Sequence, residues 1–250
     1  MKIKALIRII IWTVISILLA SIFALALAGQ LTNLTRRLGI MKYDDTNFTA
    51  GSGTIADYGA ITGINIEWVG GTVIISKNTA EDEIEIRESA AKQLEEWQNM
   101  RYKVENGVLY IKYTAPKNYE IWKTCPSKQL NLKIPPSLIG HLEKVDISST
   151  SANVSMTAVS ADSITVDSVS GKTQLDRCRA DSLDLKSVSG NIIVRLPSNH
   201  NGFELDFSTV AGKLNTSLEM KNLSENSYRF KNGECKITVS SEMGSFEIKE

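Results

Sequence analysis

A pattern of twelve residues recurs at a step of nineteen from Val145 onward, and this repeat limits the possible folds of the 250-residue chain more than any other feature. Its form is apolar, x, apolar, x, x, apolar, x, Gly or Ala, x, apolar, x, apolar. Val145, Ile147, Thr150, Ala152, Val154 and Met156 fill it first; Ile164, Val166, Val169, Gly171, Thr173 and Leu175 fill it next; Leu183, Leu185, Val188, Gly190, Ile192 and Val194 follow. A step of twenty-two then gives Leu205, Phe207, Val210, Gly212, Leu214 and Thr216. After an insertion at 221–234, a step of thirty-two recovers Ile237, Val239, Gly244, Phe246 and Ile248, with Glu242 where an apolar residue is expected. An early copy stands at Ile64, Ile66, Val69, Gly71, Val73 and Ile75.

Alternation at period two describes short strands with one face inward, and a glycine between two such strands permits a positive-φ corner. A period near twenty predicts an all-β solenoid, or β-helix, whose coils of 19–22 residues stack about 4.8 Å apart in chain order. One coil has nothing to bury its apolar side chains against, so stability comes from the stack. The repeat also decides how to read SGKT at 170–173, which resembles half of a phosphate-binding loop. That loop needs a glycine where Val166 stands and a helix after it. A copied SVSG at 187–190 makes Gly171 a corner and Lys172 an exposed residue instead.

The N-terminal segment reads differently. Lys2, Lys4 and Arg8 precede an uncharged run from Ile9 to Thr35, and its apolar part, residues 9–28, is long enough for one transmembrane helix. The basic residues before it place the N-terminus in the cytoplasm and the remainder outside. Ala26-Leu27-Ala28 is also a small-x-small site of the kind signal peptidase cuts, in which case the chain is secreted after cleavage at Ala28. Residues 1–36 are therefore an anchor or signal peptide, 37–60 a polar linker, and 61–250 the solenoid domain with a less regular section at 76–142. Within that section EDEIEIRE reads as a strand, ESAAKQLEEWQNM has helical composition, YKVENGVLYIKY reads as two strands around Asn106-Gly107, and QLNLKIP alternates until Pro135-Pro136 stops it. A coil end has an unpaired edge, which this section is placed to cover.

Lys plus Arg equals Asp plus Glu at 28 each, so no global field draws nucleic acid. Cys125, Cys178 and Cys235 have no metal-type spacing; they are free thiols, or Cys178 and Cys235 are bridged. His141 and His200 lack neighbours at ligand spacing and read as surface loop residues. Asp162 and Asp181 share a repeat position and would stack about 5 Å apart, but the calcium-binding repeat is absent. No cofactor, metal or catalytic residue is expected, since no GxSxG, HExxH or Ser-with-base spacing occurs. Serines and threonines are assigned to corners and outer faces.

The charged β pair with VENGVLYIK, then LNLKIPPSLIGHLEKVDISSTSANVSM, the two SVSG corners and the final GECKITVSSEMGSFEIK resemble the DUF4097 family of bacterial adhesin-type proteins, from about Ile55 to the C-terminus. The resemblance implies a β-helical extracytoplasmic domain, often tethered by one membrane helix, with links to the cell envelope and to envelope-stress signalling. It supplies no catalytic residues.

Two surfaces are candidates for binding. Tyr110, Tyr113, Tyr119 and Trp122, with Tyr102, form an aromatic cluster that either stacks on sugar and protein partners or closes the end of the helix. The insertion carries Tyr228 and Phe230, which make contacts or fold back as a cap. The expected function is a membrane-anchored binding or scaffold module facing an envelope protein; the alternative is an adhesin for cell-wall or host glycan. Glycan hydrolysis has only the Asp162 and Asp181 pair in its favour.

Overall fold

The computed structural model describes residues 47–114 and 126–250. The residues read as a membrane anchor, 9–28, lie outside the described residues, as do Tyr119, Trp122 and Cys125; among those described, no helix is long and apolar enough to cross a membrane. In chain order the strands are β1 (Thr49–Ala50), β2 (Gly53–Ile55), β3 (Gly63–Lys77), β4 (Ile84–Ala90), β5 (Arg101–Glu105), β6 (Val108–Lys112), β7 (Lys128–Ile134), β8 (Lys144–Thr157), β9 (Ser163–Ser168), β10 (Thr173–Asp176), β11 (Ser182–Ser187), β12 (Ile192–Arg195), β13 (Gly202–Thr209), β14 (Leu214–Thr216), β15 (Lys221–Ser224), β16 (Ser227–Lys231), β17 (Cys235–Ser241) and β18 (Phe246–Lys249). One short helix, α1 (Pro136–Ile139), follows the Pro-Pro stop after β7.

The coils stack in parallel with the register that the repeat predicts. Thr173 lies level with Val154 on one side and Ile192 on the other, and Leu183 lies level with Ile164. The early copy joins the same stack: β3 runs beside β8, with Ile64 opposite Val145 and Ile75 opposite Met156. On its other side β3 pairs with β6 and then β7, so these two strands together form one more rung. Inward residues from all the rungs make one core, and Ile66, Val73, Leu109, Leu132, Leu185, Val239 and Ile248 are each fully buried. Each such side chain contributes roughly 1.5–3 kcal/mol, which a lone coil could not collect.

Chain order and stacking order part company at the C-terminal end. The sequence step places the coil of β13 and β14 directly on that of β11 and β12. Instead β17 pairs with β11 and β18 with β12, and the other edges of β17 and β18 carry β13 and β14. The last coil is thus inserted between two earlier ones. Its inward residues, Ile237 level with Leu183 and with Leu205, suit either neighbour, so apolar patterning does not resist the insertion. A chain cut after Gly233 therefore loses an interior layer. We expect it to lack a cooperative unfolding transition and to be digested throughout in limited proteolysis; resistance of residues 47–195 to the protease would show that the layer is dispensable.

Both ends are finished by antiparallel strands. At the N-terminal end β5 covers β6 and β1 covers β5, while β4 covers β7 and β2 covers β4. Part of the stretch read as linker, residues 49–55, is therefore already in the sheet. The Asn106-Gly107 turn between β5 and β6 has φ of 51° and 76°, as a tight hairpin requires. The helical composition of 88–100 is not realised: β4 extends to Ala90, and only a single 3₁₀ turn at Glu96–Gln98 follows. At the C-terminal end the insertion forms the hairpin of β15 and β16, and β16 covers β13.

The corners correct three readings. Gly171 has φ +103°, but Gly190, Gly212 and Gly244 do not have positive φ; what they require is space. A Cβ on Gly190 would stand 1.8 Å from the Gly171 carbonyl oxygen, and one on Gly244 2.0 Å from that of Gly190. Ala152 stands in the same row, on β8, which runs through its corner as unbroken strand. The apolar position two residues before the glycine is not core: Val169 and Val188 are half-buried and Val210 is 85% exposed, so Glu242 breaks no rule there. Conversely, Ser149, Ser168, Ser187 and Ser241 are buried, not outward. Ser187 Oγ accepts the Gly190 N–H at 2.7 Å, Ser241 Oγ that of Gly244 at 3.0 Å and Ser149 Oγ that of Ala152 at 3.1 Å, so these three satisfy corner amides, whereas Ser168 Oγ donates to the Ser170 carbonyl.

A third, short side of the coil also went unread in the sequence. Val159 and Cys178 are buried nineteen residues apart, and the Arg179 N–H donates to the Val159 carbonyl while the Ala161 N–H donates to that of Arg179.

Candidate binding surfaces

At the N-terminal end the aromatic cluster divides. Tyr113 is 4% exposed and meets Trp68 edge to face, with ring centroids 4.8 Å apart, while its hydroxyl donates to the Pro126 carbonyl. It closes the end of the core and presents no ring to solvent. Tyr110 lies on the outer face of β6 and is half-buried, 5.8 Å from the Lys103 ammonium.

Between the rings of Trp68 and Tyr113 sits a buried cation. Lys128 continues the inward phase of Leu130 and Leu132 one step upstream, and its side chain has no exposure. Its Nζ is 2.6 Å from Glu88 Oε1 and 4.1 Å from the Tyr113 ring centroid, and it donates to the carbonyls of Gln98 and Tyr113. Glu88, itself 3% exposed, also accepts the Met100 N–H at 3.0 Å. These contacts pin the 91–114 segment to the stack.

At the C-terminal end Phe230 folds back. Its ring is 5.5 Å from those of both Phe203 and His200, and Tyr228 is half-buried opposite Leu205. His200 is accordingly not a surface residue: its side chain is only 9% exposed. Nδ1 accepts the Gly202 N–H and Nε2 faces Glu250 at 3.2 Å, which puts the proton on Nε2. Desolvation, then the Lys231 charge, lowers its pKa and favours the neutral ring.

Groups that could do chemistry are tied down. Tyr58 Oη donates to Asp82 Oδ1 at 2.5 Å, and Ser137 Oγ lies 2.7 Å from the phenol and 2.9 Å from the same carboxylate. The hydrogen bond to Asp82 raises the Tyr58 pKa and lowers that of Asp82, leaving a protonated phenol and a weakly basic carboxylate that already accepts two hydrogen bonds. Cys178 and Cys235 are free thiols. Burial pushes each up to about 11, from an ordinary 9.0, which leaves roughly 100-fold less thiolate at neutral pH. Both should stay unmodified by iodoacetamide at pH 7.5 while glutathione is consumed, as followed by peptide mapping. Rapid native labelling of Cys178 would show that the third side opens.

Two recesses among the described residues bear on binding. One, of about 390 Å³ beside β2 and β4, is lined by Glu85, Arg87 and Lys133, and both cations pair with Glu85. The other, of about 320 Å³, follows the corner between the third side and the first strand of successive coils. Its floor includes Ala161, Cys178, Ala180, Leu183 and Phe203, and Asp162, Asp181 and Glu234 stand on its rim. Asp162 and Asp181 do stack, with the Asp181 N–H donating to the Asp162 carbonyl, but neither makes an ion pair among the described residues. No three His, Cys, Asp or Glu side chains converge there or elsewhere among those residues as a metal would require. The sequence shows this site only as the tripeptide Ala-Asp-Ser, written at 161–163 and again at 180–182.

Comparison with known proteins agrees with the coil architecture. A protein of Clostridium sporogenes, described as a candidate cell adhesion protein, superposes over 80% of this chain and 99% of its own with a TM-score of 0.59 at 14% identity, a likeness of fold. A candidate adhesin of Bacteroides fragilis covers 81% of this chain and 97% of its own at 10% identity, with a TM-score of 0.33 that carries no argument. Comparison with curated proteins finds no match. Residues 61–195 and 139–249 each match the family model described as Toastrack DUF4097. Since those two matches together span most of the sequence, the chain belongs to the Toastrack DUF4097 family.

Proposed function

We propose that the protein is a membrane-anchored, extracytoplasmic module of the bacterial cell envelope that binds a protein partner and does no chemistry. The observation that carries this reading is the third-corner groove, which is recessed, half-apolar and rimmed by unpaired carboxylates on a scaffold whose reactive groups are otherwise internally bonded. Such a stack presents fixed surfaces rather than a closing active site. The uncharged run at 9–28 supplies the anchor, and the likeness to proteins described as adhesion candidates supports a binding role.

The test is photo-crosslinking from probes placed along the coil faces of the full chain in intact cells, beside co-sedimentation of residues 44–250, a compact unit, with cell-wall sacculi. A discrete protein adduct and no saturable sedimentation is the expected result. Saturable sedimentation that is lost in Tyr110→Ala would replace this reading with a glycan-binding adhesin.

A further inference from the structure

The groove has a direction as well as a composition. The Asp162 N–H donates to the Leu142 carbonyl, the Asp181 N–H to that of Asp162 and the Lys236 N–H to that of Asp181, while Cys235 pairs with Phe203. The lining residues Leu142, Asp162, Asp181, Cys235 and Phe203 therefore stand on five successive rungs, and the groove runs along the stack for about 19 Å at 4.8 Å per rung. That is the length of roughly six residues of extended chain. Alanines at 161 and 180 keep the floor low, where Val159 and Cys178 on the same side carry larger groups.

Charge decides what fits. Asp162 and Asp181 occupy one row on consecutive rungs, Cys235 continues that row on the next rung, and the exposed Glu234 stands one residue before Cys235. Asn201 donates one hydrogen bond to Glu234 at 2.6 Å, and the neighbouring guanidinium, Arg179, is held by the Asn199 side chain. His200, at the far end, is turned to Gly202 and Glu250. Carboxylates facing one another along an apolar trough repel until a cation lies between them. A single metal ion does not suit them, because no third ligand converges. A row of charges above an apolar floor instead matches a chain that alternates basic and apolar side chains.

We propose that this groove binds an extended segment of a partner protein in which Lys or Arg alternates with apolar residues, the basic side chains on Asp162, Asp181 and Glu234 and the apolar ones on the Ala161, Ala180 and Phe203 floor. The proposal rests on the reading of the protein as a protein-binding module and names the chemistry of its partner. Backbone ladder bonds are not required of the ligand, since the groove lies across strand starts rather than along a free edge.

The test uses the full-length protein in detergent and a fluorescein-labelled Lys-Leu-Lys-Leu-Lys-Leu peptide, followed by anisotropy, with Glu-Leu-Glu-Leu-Glu-Leu as comparison. Saturable binding of the Lys peptide, weakened at least tenfold in Asp162→Asn/Asp181→Asn and unchanged in Asp206→Asn on the outer face of β13, is the expected result. Equal affinity of the double variant, equal binding of the Glu peptide, or no binding overturns it. Displacement of the peptide by equimolar spermidine overturns the peptide assignment in favour of a small polyamine. Ala180→Leu, which raises the floor, should abolish binding while its unfolding midpoint shows that it still folds; retained binding speaks against the groove. If the groove fails while in-cell crosslinks to a protein persist from another face, the binding-module reading stands and only this site falls.

Discussion

Gly190→Ala is expected to destabilise the protein by about 3 kcal/mol or more, at the upper end of what overpacking one methyl costs. The added Cβ would stand 1.8 Å from the Gly171 carbonyl oxygen, a backbone atom of the next rung. Relief by moving the rung is blocked from the other side, where a Cβ built on Gly244 would stand only 2.0 Å from the Gly190 carbonyl oxygen. The ladder would have to part on one side or the other, with its parallel hydrogen bonds. For a chain of this size each kcal/mol lowers the thermal midpoint by roughly 2–4 °C, so the shift is large enough to read by circular dichroism. Gly140→Ala is the control: Gly140 ends α1 at φ −81°, nothing lies within 4 Å of its built Cβ, and the change should stay within about 0.5 kcal/mol. If the two alanines cost the same, the close approach of rungs at the corner is not what selects glycine.

Lys128→Met should cost about 3–5 kcal/mol, the range seen when one member of a buried ion pair is removed. Glu88 would be left 3% exposed with one backbone N–H and no cation. The larger part of that cost belongs to the stranded carboxylate rather than to the lost attraction. Adding Glu88→Gln should therefore recover most of it, because an amide oxygen still accepts the Met100 N–H and carries no charge. Urea titrations of the single and double variants read the difference. A double variant as unstable as Lys128→Met would place the cost in the carbonyls of Gln98 and Tyr113 that Lys128 also satisfies.

What the sequence made legible was the repeat and its inward phase, because period two and a fixed step follow directly from rung geometry. Thr173 facing inward, the stacking of Asp162 on Asp181 and the corner at Gly171 within SGKT all came from that arithmetic. The order of the rungs did not, because Leu183, Leu205 and Ile237 present equivalent apolar rows and any of them can lie against another. Nor did the role of the corner glycines, since a requirement for space and a requirement for positive φ select the same residue. The buried pair escaped for a different reason. Lys128 stands at an inward phase, which was a visible signal, but its partner Glu88 is forty residues away on an antiparallel strand, and no local pattern joins them. Of the surfaces proposed from aromatic content, Tyr113 and Phe230 turned out to finish the two ends of the core. The groove was hidden because it is built from small and acidic residues, which read as an ordinary solvated face.

The inserted last coil also sets an order of events in time. A solenoid whose rungs follow the chain can fold as it emerges, each rung templated by the one before. Here β13 and β14 are synthesised before the rung that must precede them in the stack, so they have no place to settle until β17 and β18 arrive. Residues 235–250 thus act as a keystone, and these layers close only once β17 and β18 have been made. Contacts bridging β11 to β17 span more than fifty residues, which makes this closure slow compared with the rungs upstream. Until then the exposed edges of β11 and β13 are the part of the newly made protein most open to a chaperone, a protease or a wrong strand.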